Sequence, residues 1–403
     1  MQVNCVYRKG STGKIVYDIH TELQKQGIES VVCYGRGARI REPHVYKTCP
    51  EWYSKLNNLW SRLTGLMYGG CFFSTSKLIR IIKKEKPDVV HLHCINGYFV
   101  NIYRLVTWLK KNGVKTVLTL HAEFMHTANC GHALDCDKWK TGCGKCPRNR
   151  AETKSLVFDR THTSWMKMKK AFEGFEDLTV ISVSDWVASR AMQSPILSGR
   201  CIRTIHNGIF TGNFNGERNP TLEAALKEKY GIPGNKKIVL HVTPSFLNPI
   251  KGGENFLKLS EQLPEEYVAV VVGGGATTTE KLIAIPFVSD QREMAAFYQM
   301  ASVFVITSRC DNYPTVCLEA NCCGTPVVGF DVGGIRETIA TGMGQVVPSG
   351  DIGALLRGII EWEKVKDDIP VEAVRQSMIY NGVERMCKEY IAMYAGFVKK
   401  ERS

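Results

Sequence analysis

The chain has no run of 18 uncharged apolar residues, so nothing in it reads as a membrane-spanning helix. Its first ten residues, MQVNCVYRKG, lack a basic segment leading into a long apolar one, and no small-residue cleavage site follows, so no secretory leader is expected. No internal repeat of fixed period is visible, and 36 glycines and 15 prolines among 403 residues fall short of collagen-like or low-complexity composition. A disulfide framework is not expected either. The 15 cysteines are spread over a long chain, and Cys5, Cys33, Cys317, Cys322 and Cys323 sit inside apolar runs, the habit of small core hydrophobes in a reducing compartment. With 44% apolar and 23% charged residues the composition is globular, and the length asks for two domains rather than one core.

What the chain does have is a lopsided charge. Its 52 Lys and Arg against 39 Asp and Glu give a formal net charge of +13. Residues 1–200 hold 31 of the basic and 16 of the acidic side chains, so the whole surplus lies in the first half. Such a distribution points to an anionic partner for that half: nucleic acid, a membrane surface or a phosphorylated substrate.

Hydrophobic periodicity predicts a strand at Val3–Tyr7, a helix over about Thr12–Gln26 with Ile15, Ile19 and Leu23 on one face, and a second strand at Ser30–Tyr34. Helix and strand go on alternating through Lys77–Lys86, Val89–His93, Tyr98–Lys111, Thr116–His121, Lys154–Phe172 and Leu178–Val183. A second series has strands at Lys237–Val242, Tyr267–Val272, Val303–Thr307 and Pro326–Phe330, and the poorly patterned residues 194–220 mark the boundary between the two. Two doubly wound parallel α/β domains are the architecture expected.

Three segments are candidates for chemistry. Residues 8–13, Arg-Lys-Gly-Ser-Thr-Gly, join the first strand to the first helix; a turn without Cβ atoms lets backbone N–H groups approach a phosphate, although an ordinary tight turn fits these residues as well. Pro249-Ile250-Lys251-Gly252-Gly253 puts a lysine after a parallel strand, where such sheets bind ligands and an ammonium can pair with a diphosphate; alone, it is also any surface lysine. In residues 307–337, Asp311 ends a strand and Glu319 follows eight positions later, in a helix opened after Pro314. That spacing brings two carboxylates to the sheet edge with the N–H groups of Thr315 and Val316 between them, or else makes Asp311 a turn residue and Glu319 part of a solvated face.

Asp311-x7-Glu319, followed by Cys323-Gly324-Thr325-Pro326-Val327-Val328 and Val332-Gly333-Gly334, resembles the signature of family 4 glycosyltransferases. Asn207-Gly208-Ile209, Lys251-Gly252 and the N-terminal glycine loop extend the resemblance over residues 10–337. The subgroup it most resembles is the bacterial enzymes of O-antigen, capsule and colanic-acid assembly, which carry a segment similar to Cys136-Asp137-Lys138-Trp139-Lys140-Thr141-Gly142-Cys143. The resemblance implies the GT-B fold, two Rossmann-like domains facing a central cleft. Residues 1–200 would bind the acceptor and carry a cysteine-rich insertion at 126–148, residues 201–375 would bind the donor, and a helix in 376–403 would pack back on the first domain.

It also implies retaining transfer from a nucleoside diphosphate sugar, with UDP the expected nucleotide, and no required catalytic metal. Glu319 matches the carboxylate that holds the ribose, Lys251 the cation on the diphosphate, and Gly13 the glycine that lets the diphosphate approach. His121 matches a histidine facing the donor sugar, and Asp311 stands near the sugar hydroxyls where the family usually has Glu. Two further departures are Ala122, where many relatives have Asp, and the absence from Thr243–Asn248 of the arginine that usually precedes the lysine. The expected acceptor is a glycan or a polyprenyl-diphosphate-linked oligosaccharide, and no nucleic acid is expected.

Cys130, Cys136, Cys143 and Cys146 fall in Cys-x5-Cys-x6-Cys-x2-Cys order. In a reducing cytosol four thiolates closing a polar loop read as tetrahedral structural zinc, with free thiols and disulfides as the other readings. Residues 51–86 mix Trp52, Tyr53, Leu56, Leu59, Trp60, Leu63, Leu66, Met67, Phe72 and Phe73 with Lys55, Arg62, Lys77, Arg80, Lys83 and Lys84. An interfacial segment on anionic lipid and a core helix with a basic outer face both fit that mixture. The location expected is cytoplasmic, peripheral on the inner face of the membrane. The competing functional readings are a basic nucleic-acid- or anionic-surface-binding protein and an epimerase on the same fold.

Overall fold

The computed structural model describes residues 1–399. The chain divides into two units, one comprising Met1–His206 and the segment from Cys387 onward, the other Asn207–Met386. Each is built on one parallel sheet.

In the first unit the strands are β1 (Gln2–Asn4), β2 (Val32–Tyr34), β3 (Val45–Lys47), β4 (Val90–Leu92), β5 (Thr116–Leu120), β6 (Leu178–Ser182) and β7 (Ile202–Thr204), in the order β3-β2-β1-β4-β5-β6-β7. The second unit has β8 (Lys237–Thr243), β9 (Tyr267–Gly273), β10 (Leu282–Ile285), β11 (Val303–Ile306), β12 (Val327–Phe330) and β13 (Gly344–Val347), in the order β10-β9-β8-β11-β12-β13. Every pairing between these strands is parallel. Central strands such as β9 are buried at every residue because helices cover both faces, which is why they read as unbroken apolar runs.

The helices form where the apolar period is 3.6, and several also carry a side-chain cap. Ile102–Lys111 buries Ile102, Leu105, Val106 and Leu109, and the Asn101 side chain accepts from Arg104 N at 3.0 Å. Boundaries move where a local contact overrides the period. The first helix starts at Gly10 rather than Thr12. Residues 154–160, expected as helix, are instead a turn in which Asp159 Oδ1 accepts from Thr161 N, so the helix begins at Thr161. The short edge strands β3, β7, β10 and β13 carry too few residues to declare a period, and β7 lies inside the stretch read as unpatterned.

Two helices end the described chain. Val371–Asn381 stays with the second unit and packs on Thr315–Cys322. Val383–Lys399 belongs to the first unit from Cys387 on, where Tyr390 and Tyr394 reach Thr119 and His91. Among the described residues no helix is long and apolar enough to cross a membrane.

Candidate active site

In the second sheet β8 and β11 are neighbours whose next strands, β9 and β12, lie on opposite sides. Connections diverge there and leave a crevice at the carboxyl ends of the two strands, the usual ligand position in an open α/β sheet. Lys251 comes from the loop after β8 and Asp311 from the loop after β11. The Lys251 Nζ donates to Asp311 Oδ2 at 2.7 Å, with 29% and 17% of the two side chains exposed.

Backbone contacts fix both loops. Gly252 has φ 71°, and a Cβ there would lie 1.7 Å from the Thr307 carbonyl oxygen; Thr307 Oγ1 donates to the Gly252 carbonyl at 2.9 Å. Gly333, at φ 63°, brings Gly334 N within 2.9 Å of the Asp311 carbonyl, where a Cβ on Gly333 would sit 1.9 Å from that oxygen. The glycines matched in the sequence are thus the ones that let backbone close on the Lys251 and Asp311 loops.

Glu319 lies in the helix Thr315–Cys322, one turn beyond Thr315 and Val316 and therefore on their face. That helix starts at Pro314 without a side-chain cap and has no acidic residue in its first turn, which leaves its N–H groups and partial positive charge for an anion. Glu319 Oε2 accepts from the Tyr298 hydroxyl at 2.8 Å. Tyr298 is fully buried; burial and then the Glu319 charge hold its phenol well above the ordinary value, so it stays a donor. Sequence reasoning missed Tyr298, whose position in Gln291–Met300 gives no local sign of its partner.

Arg309 was missed too. Its N–H donates to the Ile250 carbonyl at 2.8 Å, beside Lys251, and its exposed side chain lines a cavity of about 540 Å³ together with Asn248, Pro249, Gly252 and Ser349. Among the described residues the Arg309 guanidinium has no ion-pair partner.

Gly13 and His121 belong to the first unit. Gly13 lies in the first turn of the helix rather than in a loop before it, with its carbonyl accepting from Arg8 N at 3.0 Å; a Cβ would meet Val6 Cγ2 at 3.1 Å. The turn that approaches the helix is therefore residues 5–9.

His121 follows β5 and stacks on His93, with His93 Nδ1 and His121 Nε2 3.1 Å apart. His93 Nε2 is 2.7 Å from Gln2 Oε1, an atom that only accepts, so Nε2 carries the proton. His93 is kept neutral by burial, which leaves its Nδ1 to accept from His121 Nε2. Gln2 Nε2 donates in turn to the Tyr394 hydroxyl at 3.2 Å, and that hydroxyl lies 2.5 Å from His91 Nδ1. Burial pushes His121 itself down to about 4. The network assigns His121 as a neutral imidazole protonated on Nε2.

The cysteine-rich insertion brings Cys130, Cys136, Cys143 and Cys146 into one neighbourhood. All four are thiols rather than disulfides, and among the described residues no three of their sulfurs lie within 4.8 Å of one another. Side-chain contacts also hold the insertion. Trp139 is buried with Cys130 and Ala133, and its carbonyl accepts from Trp165 Nε1 at 2.9 Å. The buried Glu123 accepts from Ala133 N at 2.6 Å and from Arg190 Nε at 2.5 Å. Burial alone would raise that carboxyl, but His126 and Arg190 more than offset it and hold Glu123 below the ordinary range. Arg148 ties the His132 and Ala133 carbonyls to Glu152.

Two parallel-sheet Rossmann-like units, with a lysine, two carboxylates and an uncapped helix start at the switch point of the second, define a GT-B glycosyltransferase. The family model described as Glycosyltransferase Family 4 matches residues 12–213, and the one described as Glycosyl transferases group 1 matches residues 223–385; the chain belongs to glycosyltransferase family 4. It is 26% identical to the putative colanic acid biosynthesis glycosyl transferase WcaC of Escherichia coli K12, over 98% of each chain. Among solved structures, a glycosyltransferase from Rickettsia africae has a TM-score of 0.67 at 15% identity and covers 99% of this chain and 98% of its own. HepE of Anabaena, in complex with UDP-glucose, has a TM-score of 0.65 at 14% identity over 98% and 100%. The chain is therefore an enzyme rather than a binding protein.

Proposed function

We propose that the enzyme transfers a sugar, with retention of anomeric configuration, from a UDP-sugar to a glycan or polyprenyl-diphosphate-linked acceptor in surface-polysaccharide assembly. The reaction would take place on the cytoplasmic face of an anionic membrane. One observation carries the reading: the Lys251–Asp311 pair and the Tyr298-held Glu319 converge on an uncapped helix start at the switch point. The similarity to WcaC over almost the whole chain supports the polysaccharide context, and the UDP-glucose bound to HepE supports the donor class.

In this reading Glu319 accepts from the ribose hydroxyls, Lys251 and the amides of Thr315 and Val316 hold the diphosphate, and Arg309 provides the second cation that Thr243–Asn248 lacks. Asp311 orients the sugar. The bond from the anomeric carbon to the phosphate oxygen breaks with its electron pair leaving on the diphosphate. The acceptor oxygen bonds the same face of that carbon, and its proton passes to a departing phosphate oxygen. Lys251 and the helix amides stabilise that leaving charge, so the chemistry asks for no catalytic metal.

A thermal-shift panel of UDP-, GDP- and ADP-sugars, followed by transfer assays on Lys251→Ala and Glu319→Ala, tests the assignment. Each substitution is expected to cost on the order of 2–4 kcal/mol of transition-state stabilisation, about 30- to 1,000-fold in kcat/KM, with the fold intact. Near-normal kcat/KM in both variants, or no shift with any nucleotide sugar, would overturn it.

A further inference from the structure

The helix Glu51–Thr64 is inside out. The residues it buries are Ser54, Asn57 and Ser61, all polar, whereas Trp52, Leu56, Leu59 and Leu63 form an apolar stripe at helical spacing on the exposed side, with Trp60 also exposed. The buried side chains are satisfied within the first unit. Ser54 Oγ donates to the Gly97 carbonyl at 3.1 Å, Asn57 Oδ1 accepts from Cys71 N at 2.6 Å, and Ser61 Oγ donates to the Leu66 carbonyl at 3.1 Å. The orientation is thus specified by hydrogen bonds, and Trp52, Leu56, Leu59 and Leu63 are left about half or more exposed.

Two other segments extend it. At one end Phe73 is 79% exposed and its ring lies 5.9 Å from Tyr53, next to Trp52. At the other, Leu156 N donates to the Arg62 carbonyl at 2.8 Å, and the exposed Leu156, Val157 and Phe158 follow the end of the helix at Gly65. The patch therefore runs the full length of the helix, about 21 Å at the α-helical rise, and beyond it at both ends. Monomer surfaces rarely carry so long an apolar strip without a use.

Its charges say what covers it. Lys55 is exposed on the same helix, Arg104 donates to the Phe72 carbonyl at 3.1 Å, and Arg160 stands 5.4 Å over the Phe158 ring. Residues 51–84 contain six basic side chains and one acidic, Glu51, which is paired with Arg36 and Lys47. Apolar side chains flanked by cations fit the boundary between acyl chains and anionic headgroups, whereas two copies meeting through this face would set cation against cation.

We propose that the stripe Trp52, Leu56, Leu59, Leu63 with Phe73 and Phe158 is an interfacial anchor that lies in an anionic bilayer surface with its apolar side chains inserted, flanked by Lys55, Arg104 and Arg160. The proposal rests on the membrane location given above and names the surface responsible.

The test is flotation of the full chain with phosphatidylcholine vesicles, with and without about one third phosphatidylglycerol. The triple variant Leu56→Ser/Leu59→Ser/Leu63→Ser, exposed at all three sites, should keep the circular dichroism and thermal midpoint of the parent, and its partitioning onto anionic vesicles should fall at least about tenfold. The Lys55→Glu/Arg160→Glu variant should lose anionic preference, and bilayer-embedded bromolipid should quench a part of the tryptophan emission that Trp52→Phe removes. Binding to anionic vesicles that survives the leucine substitutions and shows no bromolipid quenching would overturn the anchor while leaving the membrane location standing. Absence of binding to either vesicle would overturn both. A parent chain that is dimeric, with a monomeric leucine variant, would assign the stripe to a second copy and also refute the proposal.

Discussion

Acidification from pH 7 to pH 5 should unfold the first unit ahead of the second. His91 and His93 are fully buried there, and burial holds both well below the ordinary imidazole value, so both stay neutral in the fold. In the unfolded chain each titrates near 6.5. A folded value below the unfolded one means that the unfolded state binds more protons as pH drops under 6.5, so stability falls until pH reaches the folded value. From pH 7 to pH 5 the loss is about 1.9 kcal/mol for each histidine that stays neutral, or about 4 kcal/mol for the pair. The second unit has one fully buried counterpart, His241, with Nδ1 2.9 Å from the Val305 carbonyl oxygen and a value pushed down to about 4 by burial. It contributes about 1.8 kcal/mol over the same interval and is exhausted near pH 4. Set against a domain stability of roughly 5–15 kcal/mol, the difference is enough to separate two transitions. Carboxyls held low, such as Glu123, lose their stabilisation only below about pH 4.5 and so stay out of the window. Six of the seven tryptophans lie in the first unit and only Trp362 in the second, so tryptophan emission reports the first while far-ultraviolet circular dichroism reports both. Urea midpoints by the two probes should diverge at pH 5, emission changing first. Midpoints by emission that are equal at pH 7 and pH 5, or a second unit that melts first, would refute the reasoning.

Tyr298→Phe keeps the buried ring but removes the donor to Glu319, a hydrogen bond to a charged group worth about 1.5–3 kcal/mol, so kcat/KM for the donor should fall about 10- to 150-fold with little change in thermal midpoint; unaltered donor kinetics would take Tyr298 out of the site. Gly333→Ala would force a Cβ to within 1.9 Å of the Asp311 carbonyl, and donor affinity measured by calorimetry should drop while the tryptophan spectrum, which reports the first unit, stays unchanged. For the cysteine-rich insertion, Trp139→Ala should cost about 3–5 kcal/mol in denaturant titration, and zinc on the four cysteines should show as about one equivalent per chain by elemental analysis, with Cys143→Ser lowering stability; metal-free protein of normal stability would overturn the zinc proposal.

The legible parts of the molecule are those whose information is local. Strand and helix alternation, the switch-point position of Lys251, and the Asp311–Glu319 spacing each reside in a window of a few residues, and the structure keeps Lys251 and Asp311 within a hydrogen bond of each other. The partners of those groups were not legible because they come from far along the chain: Tyr298 is 21 residues from Glu319, and Gln2 is 91 from His93. A polar insertion needs something to hold it, and zinc on the four cysteines is the answer their spacing offers. Glu123 and Arg190, 67 residues apart, supply another that no spacing rule marks. The helix Glu51–Thr64 shows a different limit. Its apolar stripe at 52, 56, 59 and 63 reads equally as a core face, and only the small polar stripe at 54, 57 and 61, which could pack without a large cavity, hints that the helix is turned over.

The Lys251–Asp311 pair gives the short carboxylate a consequence within the proposed reaction. The two charges satisfy each other at 2.7 Å, partly screened from water, and neither is left uncompensated. A diphosphate arriving at Lys251 competes with Asp311 for the ammonium. If Lys251 turns to the phosphate, Asp311 is left half-buried and in need of a hydrogen-bond donor, and a sugar hydroxyl is the group a whole donor brings to that place. A nucleoside diphosphate without its sugar brings none, so it must leave a carboxylate short of a partner or forgo part of the lysine contact. In the proposed reaction, discrimination between the intact donor and the spent nucleotide would follow from the ion pair itself. The Gly333–Gly334 turn clasps the Asp311 backbone and so fixes where that carboxylate starts from, beside Lys251.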